Sequence, residues 1–298
     1  MQLIHTVRIR SLLIIANIVG YTGISANLHG ISPGTRPEEN PVLQSKSTQP
    51  APKVEIESKY YFYSFTRSNP KDPAAMQQFG SEQSSMVSEA VKNLPDLHFS
   101  MDVESNPLKV RIVDIKAKLA NLREKVGAQD TVVIYTHSHG LIPGLGIDWE
   151  TSDRMLIPYG WEDYAEAIVS IPAKNVIVFT MACHSGYLTA AMQKISHKWQ
   201  GLRKSNGRSL IVLTAVSTEQ KSKATDINLK TGIGNPFNYA VRTALKGAAD
   251  SSVDGNKDGR TSFEEMVKYI LKTAKEKSTN QYAEPQFAGE YVPDANLF

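Results

Sequence analysis

Short apolar runs alternate with amphipathic segments along most of this 298-residue chain. The apolar runs predict β-strands and the amphipathic segments predict helices, because the two patterns follow the different side-chain periods of these elements. The predicted strands are 59–65, 97–103, 130–140, 174–186 and 208–217. The predicted helices are 81–94, 110–126, 160–171, 235–248 and 262–277. Strands that alternate with helices indicate an α/β fold, a three-layer αβα sandwich with a mainly parallel central sheet.

The N-terminal segment has the pattern of a secretory signal peptide. His5, Arg8 and Arg10 precede an apolar stretch, 11–26, that ends in small residues, so cleavage after Ala26 is expected. Polar residues and glycines interrupt the stretch, which weakens it as a membrane-spanning helix. An uncleaved anchor and an ordinary helix remain alternatives. If the segment is removed, the protein is exported to a periplasmic or secreted location, and no stable membrane insertion is expected.

The rest of the chain divides into three further segments. Residues 27–57 carry five prolines without a hydrophobic period, which is typical of an extended linker. Residues 58–277 hold the alternating pattern and form the predicted domain. Residues 278–298 are expected to be an irregular tail.

The net charge and its distribution bear on whether the protein binds nucleic acid. The formal net charge is only +3, and the basic residues are spread along the chain. Because the sequence has no basic arm, nucleic acid is not an expected partner. An ordinary solvated surface explains the charge balance.

Cys183 is the single cysteine of the chain and lies in the stretch FTMACHSGYL. Structural cysteines of exported proteins usually form disulfides, and a single cysteine cannot form one within its own chain. The thiol is therefore either an inert buried side chain or one retained for its reactivity. Composition alone does not decide between these alternatives.

Polar residues follow two of the buried strands. One strand ends in HSHG, residues 137–140, and another ends in CHSG, residues 183–186. In parallel α/β sheets the chemistry gathers at the carboxyl ends of the strands. If the strands are neighbours, an imidazole and a thiol face the same crevice, and both an imidazolium and a helix N-terminus favour a thiolate. Gly140 and Gly186 allow the main chain to approach a substrate closely.

These motifs resemble the clan of cysteine peptidases that contains caspases, metacaspases and legumains. In the caspase pattern a histidine lies about 50 residues before the cysteine, and here His139 lies 44 positions before Cys183. The order of the later segments is also similar, so the resemblance extends over 59–275. It implies a caspase-like fold, a polypeptide substrate, a Cys183 nucleophile and a His139 general base.

The chemistry that the resemblance implies is acyl transfer. The Cys183 thiolate attacks a peptide carbonyl, and His139 protonates the leaving amine and then activates water. The N–H groups of Gly140 and Cys183 would hold the oxyanion. No carboxylate member of the site is indicated by the sequence, and catalysis is expected to need no cofactor.

The resemblance also suggests which residues line the substrate pocket. Met181 occupies the position where metacaspases carry an acidic residue, which indicates a less charged pocket floor, unless Asp148, Asp153 or Glu219 supplies the charge from a loop. Arg67, just after the first strand, could instead select an acidic side chain. An Arg67 that lies in a solvated loop without a special role is the alternative.

Residues 187–208 are rich in Lys and Arg. Caspase-like enzymes are often cut in this region, so a self-processing site is one hypothesis. An exposed basic helix and loop is the other.

The stretch DGNKDGRTSFEE matches the spacing of a calcium-binding EF-hand loop. The predicted ligands are Asp254, Asn256, Asp258, the Arg260 carbonyl, Ser262 and Glu265. The alternative is a polar turn followed by a capping box, in which Ser262 and Glu265 begin the next helix.

The functional hypothesis is an exported cysteine endopeptidase. Three alternatives remain open: a non-catalytic caspase-fold binding module, a cysteine transpeptidase or amidase on the same fold, and an unrelated α/β binding protein.

Overall fold

The structure, a computed structural model, describes most of the chain beyond residue 56. The described residues are 57–68, 72, 74–94, 97–104, 106, 108–149, 156–201, 205–221, 235–278 and 284–297. They belong to one unit of the fold, residues 54–298. The predicted signal peptide, and the linker except its last residue, lie outside the described residues.

Nine strands and six α-helices make up the described part. The strands are β1 Tyr60–Thr66, β2 Phe99–Glu104, β3 Thr131–His137, β4 His139–Leu141, β5 Gly144–Trp149, β6 Leu156–Gly160, β7 Asn175–Met181, β8 Ser209–Thr214 and β9 Gln286–Glu290. The helices are α1 Ala74–Lys92, α2 Ile112–Lys125, α3 Trp161–Val169, α4 Gly186–Lys194, α5 Pro236–Thr243 and α6 Phe263–Lys277. A π-helical turn, Ala244–Ala248, extends α5.

The central sheet has six strands in the order β2-β1-β3-β7-β8-β9. Its first five strands are parallel, and β9 pairs with β8 in the antiparallel direction. A separate antiparallel sheet contains β4, β5 and β6. The mainly parallel sheet that the sequence predicts is therefore confirmed.

Two hydrophobic cores cover the two faces of the central sheet. Val132 and Ile134 of β3 pack in the core that contains side chains of α2, α3 and α4. Val133 and Tyr135 pack in the opposite core, which contains side chains of α1, α5 and α6. The four side chains are fully buried, which explains why this strand is continuously apolar rather than alternating. The three-layer αβα arrangement is thereby confirmed.

Local sequence signals explain where two of the helices begin. Asn235 caps α5, because its side chain accepts hydrogen bonds from the main-chain N–H groups of Phe237 and Asn238, and Pro236 occupies the first helical position. Ser262 and Glu265 form a capping box at the start of α6.

Three expectations about secondary structure are wrong. Helix α1 begins at Ala74, seven positions before the predicted start. Residues 139–160 contain the small antiparallel sheet, which was not predicted. Residues 286–290 form β9 instead of an irregular tail, because the open edge of β8 pairs with them. No helix in the described ranges is long and apolar enough to cross a membrane.

Candidate active site

The ends of two neighbouring strands bring the predicted nucleophile and base to one edge of the sheet. Strands β3 and β7 pair in parallel, and His137 is opposite Met181 in the last pair of the register. His139 and Cys183 each follow two positions later. The main-chain N–H of Ser138 donates to the Met181 carbonyl over 3.1 Å, so the two chains stay together beyond the strands. The expectation that these strands are neighbours is confirmed.

Gly140 lies directly on the main chain of Cys183. A Cβ atom added to Gly140 would be 1.6 Å from the Cys183 carbonyl oxygen and 2.5 Å from its carbonyl carbon. No other residue type fits there without moving one of the two chains. Strand β4, which carries His139 and Gly140, is therefore held in main-chain contact with Cys183.

The turn that carries Cys183 is anchored to the segment after β8. His184 has a φ of 55°, in the left-handed region. Its main-chain N–H donates to the Gln220 carbonyl over 2.9 Å, and its Nδ1 lies 2.8 Å from the Thr218 carbonyl. Because a carbonyl oxygen only accepts, Nδ1 of His184 carries the hydrogen. These contacts turn the His184 ring towards Thr218.

Helix α4 begins three residues after the thiol. Gly186 is its first residue, and a Cβ there would be 2.5 Å from the Thr218 main-chain nitrogen. Cys183 is partly exposed. The partial positive charge of a helix N-terminus favours a thiolate over a thiol at such a position.

His139 contacts a carboxylate that the sequence analysis did not predict. Its Nε2 lies 2.7 Å from Oδ2 of Asp72, and the two side chains are 32% and 14% exposed. Asp72 lies between β1 and α1, and its carbonyl accepts a hydrogen bond from the Gln77 side chain over 2.8 Å. A carboxylate that the sequence did not indicate therefore contacts the candidate base.

His137 has a different environment from His139, although only one residue separates them. Its Nδ1 lies 3.2 Å from the Gly80 carbonyl, and its ring meets the Phe79 ring edge-on at 6.1 Å. Desolvation in this packing lowers the pKa of His137 to about 4. The ring is therefore neutral near pH 7 and donates from Nδ1 to Gly80, which is a local packing role.

The residues predicted to line the substrate pocket have different environments. Met181 is 3% exposed and belongs to the core between the sheet and α1, α5 and α6. Arg67 is 7% exposed, and its Nε donates to the Ile147 carbonyl over 2.7 Å. The alternative of a solvated Arg67 is therefore wrong. Asp148 pairs with Ile157 in the small sheet, next to a register shift, and its side chain is outside the described part of the structure, as is Asp153.

The acidic loop before α6 binds mainly its own main chain. Asp250, which is outside the predicted ligand set, accepts from the N–H groups of Asp258 and Gly259 at 2.9 and 3.3 Å. Asn256 Oδ1 accepts from the Asp258 N–H over 2.9 Å, and Asp258 Oδ1 accepts from the Arg260 N–H over 2.8 Å. These contacts close the loop as a sequence of polar turns.

The other acidic groups of this loop also bind protein groups. Glu265 accepts from the N–H groups of Asn256 and Ser262 at 2.7 and 2.9 Å. Burial opposes ionisation of Glu265, but these hydrogen bonds outweigh burial and lower the pKa of its carboxyl. Asp254 forms an ion pair with Lys272 at 2.8 Å. The described residues contain no group of three His, Cys, Asp or Glu side chains placed to hold a metal ion.

The two interpretations of the acidic loop therefore have different outcomes. The capping box of Ser262 and Glu265 is confirmed. In this structure the carboxylates of the predicted ligand set bind N–H groups of the loop and Lys272. Calcium binding at 254–265 stays a prediction.

Comparison with known proteins gives structural similarity only. The sequence matches no protein-family model, and no curated protein matches it. A crystal structure of a Geobacter sulfurreducens protein, solved as a structural genomics target, has 13% identity and a TM-score of 0.44, over 80% of this chain and 95% of that one. A caspase-1 structure from Spodoptera frugiperda has 12% identity and a TM-score of 0.44, over 78% and 85% of the two chains. Raptor from Chaetomium thermophilum has 12% identity and a TM-score of 0.41, over 66% of this chain and 18% of that one.

We predict that Gly140→Ala lowers the free energy of unfolding by at least about 2 kcal/mol, because the new methyl group overlaps the Cys183 main chain. Gly160→Ala is the matched control, since its nearest neighbour would lie 3.8 Å away, and its effect should be about 1 kcal/mol or less. Urea denaturation of both variants measures the difference. Equal stability of the two would show that the two chains are not in contact at Gly140.

We predict that Ser262→Ala lowers the free energy of unfolding by about 1 kcal/mol, because it removes the cap of α6. Ser251→Ala, at an exposed position of the same loop region, should have little effect. The measurement is thermal or urea denaturation in a chelator and again in calcium. An equal loss in both conditions agrees with the capping role, whereas stabilisation of the wild type by calcium would establish a cation site.

Proposed function

We propose that this chain is an exported cysteine endopeptidase that works through Cys183 and His139. The observation that carries the proposal is the juxtaposition of the two strand ends: Gly140, next to His139, lies in main-chain contact with Cys183. A partly exposed thiol, an imidazole and a helix N-terminus thereby meet at one edge of the sheet. This combination is what a thiolate nucleophile needs.

The proposed reaction proceeds through a thioacyl intermediate. The Cys183 sulfur attacks the carbonyl carbon of a peptide bond, and the tetrahedral intermediate collapses as His139 protonates the departing amine. His139 then removes a proton from water, and the resulting attack releases the acid product and restores the thiol. We propose the N–H groups of Gly140 and Cys183 as the oxyanion donors. The reaction requires no cofactor.

The proposed substrate pocket uses the residues next to this edge. We propose Arg67 as a group that binds substrate, because it follows β1 at the edge of the sheet where β3 also ends and is held against Ile147 of β5. Met181 is an uncharged floor beneath the site, since it is almost fully buried. Asp148 belongs to the same small sheet as Gly140 and is proposed as a further pocket residue.

We infer the cellular location and the partners of the protein from its sequence. The basic, apolar and small-residue order of 1–26 supports export, and 27–57 would then link the cleaved terminus to the domain. A polypeptide is the proposed partner. The low net charge supports neither a nucleic acid nor an anionic membrane surface.

We predict that the purified protein cleaves members of a peptide library and that Cys183→Ala abolishes the cleavage, because the variant has no nucleophile. His139→Ala should lower the rate by about 10²–10⁴-fold, the usual contribution of proton transfer. His197→Ala is the matched control, because His197 is exposed and lies in the short helical turn after α4. Mass spectrometry of the products measures the rates.

The same assay separates the alternative functions. Equal cleavage by wild type and Cys183→Ala, or none by either, would reject the peptidase and favour a non-catalytic binding module. Adding an amine such as glycinamide tests for transpeptidation. If the acyl group transfers to the amine in preference to water, the protein is an acyl transferase on the same site.

We propose that any self-cleavage occurs at the end of the basic segment, after residue 200. Lys194 and Lys198 bind Glu162 and Glu166 of α3 at 2.6 and 2.5 Å, and α4 is packed in the core. A protease therefore reaches this segment less easily than the exposed residues Gly201, Ser205, Asn206 and Gly207. Intact-mass analysis should show cleavage within 201–208 in wild type and not in Cys183→Ala. Cleavage of both would assign it to another protease.

A further inference from the structure

We infer that Asp72 is a positioning residue that fixes the tautomer and orientation of His139. This inference rests on the proposed function, since it adds a third member to the Cys183 and His139 pair. The observation is the 2.7 Å contact between Asp72 Oδ2 and His139 Nε2, which involves an acid side chain that is only 14% exposed. The sheet register explains why this contact forms: β1 is next to β3, with Thr66 opposite His137, so the chain leaves β1 at the edge where His139 lies.

The direction of the hydrogen bond determines which ring nitrogen is available. An ionised carboxylate only accepts hydrogen bonds, so Nε2 of His139 must carry the hydrogen. In the neutral ring the lone pair is then on Nδ1, which becomes the atom that takes a proton and returns it. An ionised Asp72 also stabilises the imidazolium that forms when His139 has taken the thiol proton. Asp72 thereby favours the imidazolium–thiolate pair over the neutral pair.

The other histidines of the two strand-end motifs, and Arg67, bind main-chain carbonyls. His137 is neutral and donates to the Gly80 carbonyl, and His184 donates to the Thr218 carbonyl. The Arg67 guanidinium donates to the Ile147 carbonyl. Among the side chains that the structure describes, Asp72 is the carboxylate within ion-pairing distance of His139. Removing the Asp72 charge therefore changes the one ion pair that the structure gives His139.

A structural role is the competing explanation. Asp72 lies two positions before the first residue of α1 and accepts a hydrogen bond from Gln77 through its carbonyl. Aspartate before a helix commonly acts as an N-cap, and asparagine caps a helix as well as aspartate does. Asp72→Asn therefore keeps the capping ability and removes the negative charge. Asp72→Ala removes both.

Alkylation of the thiol tests the inference without any substrate. Cys183 is the single cysteine, so the uptake of iodoacetamide by the folded protein reports this thiol alone. We expect the alkylation rate at pH 6 to fall by roughly 10-fold or more in Asp72→Asn, as for the loss of a charged hydrogen bond. The midpoint of the pH dependence should move upwards, because more base is needed to form the thiolate. The melting temperature of Asp72→Asn should stay near that of wild type.

Three further variants decide what each result means. Glu89→Gln, at an exposed position of α1, should alkylate like wild type. His139→Ala should slow alkylation at pH 6, and adding Asp72→Asn to it should cause no further loss if Asp72 acts through His139. In the peptide assay, Asp72→Asn should lower kcat with little change in KM.

The outcomes separate this inference from the proposed function. If His139→Ala alkylates like wild type, the Cys183 and His139 pair itself is rejected, and the role of Asp72 falls with it. If His139→Ala slows alkylation but Asp72→Asn does not, the pair stands and the Asp72 inference is overturned. The Asp72 inference is also overturned if Asp72→Asn lowers the alkylation rate further in a protein that already carries His139→Ala. If only Asp72→Ala lowers the alkylation rate, and its melting temperature is also lower than that of wild type, Asp72 acts as a helix cap.

Discussion

The main-chain contact between Gly140 and Cys183 is the constraint on which the candidate site depends. Two strands that run side by side normally separate where they end, because nothing beyond the ladder holds their chains together. Here a glycine leaves no side chain between them, and the chain of β4 lies on the carbonyl of the cysteine. The main chains that carry His139 and Cys183 are therefore held together by a contact between backbones. The small antiparallel sheet that follows, β4 to β6, holds that backbone in place.

The fold explains why the candidate site lies at the carboxyl ends of the parallel strands. Strands β3 and β7 are buried on both faces, so charged and strongly polar side chains are costly in their interior, which is mainly apolar. Polar groups become possible where the helices no longer cover the sheet. The segments after β1, β3, β7 and β8 all leave at the same end, because these strands are parallel. Asp72, His139, Cys183 and Thr218 come from four separate segments of sequence for that reason.

The sequence pattern predicted the strands and helices whose formation depends on neighbouring residues in the chain. The runs that became β3 and β7 could be identified as buried strands because they are continuously apolar, whereas their pairing was a condition that only the structure establishes. Residues 139–160 lacked such a signal, since glycines and prolines break the alternation that marks a strand. The strand β9 depends on the edge that β8 offers it. Arg67 looked like a surface residue because nothing local shows that Ile147 of a distant strand will accept its hydrogen bond.

The contact between Asp72 and His139 could not be predicted from the sequence for the same reason. Its sequence context, an Asp-Pro pair before a helix, indicates a helix start and contains nothing about a histidine 67 positions later. Only the pairing of β1 with β3 brings the two together. The same pairing explains why His137 and His139 differ so much: one points to α1 and loses its charge to burial, whereas the other extends past the strand and meets a carboxylate. Two identical side chains two residues apart thus have different contacts, because the first packs against α1 and the second lies beyond the end of the strand.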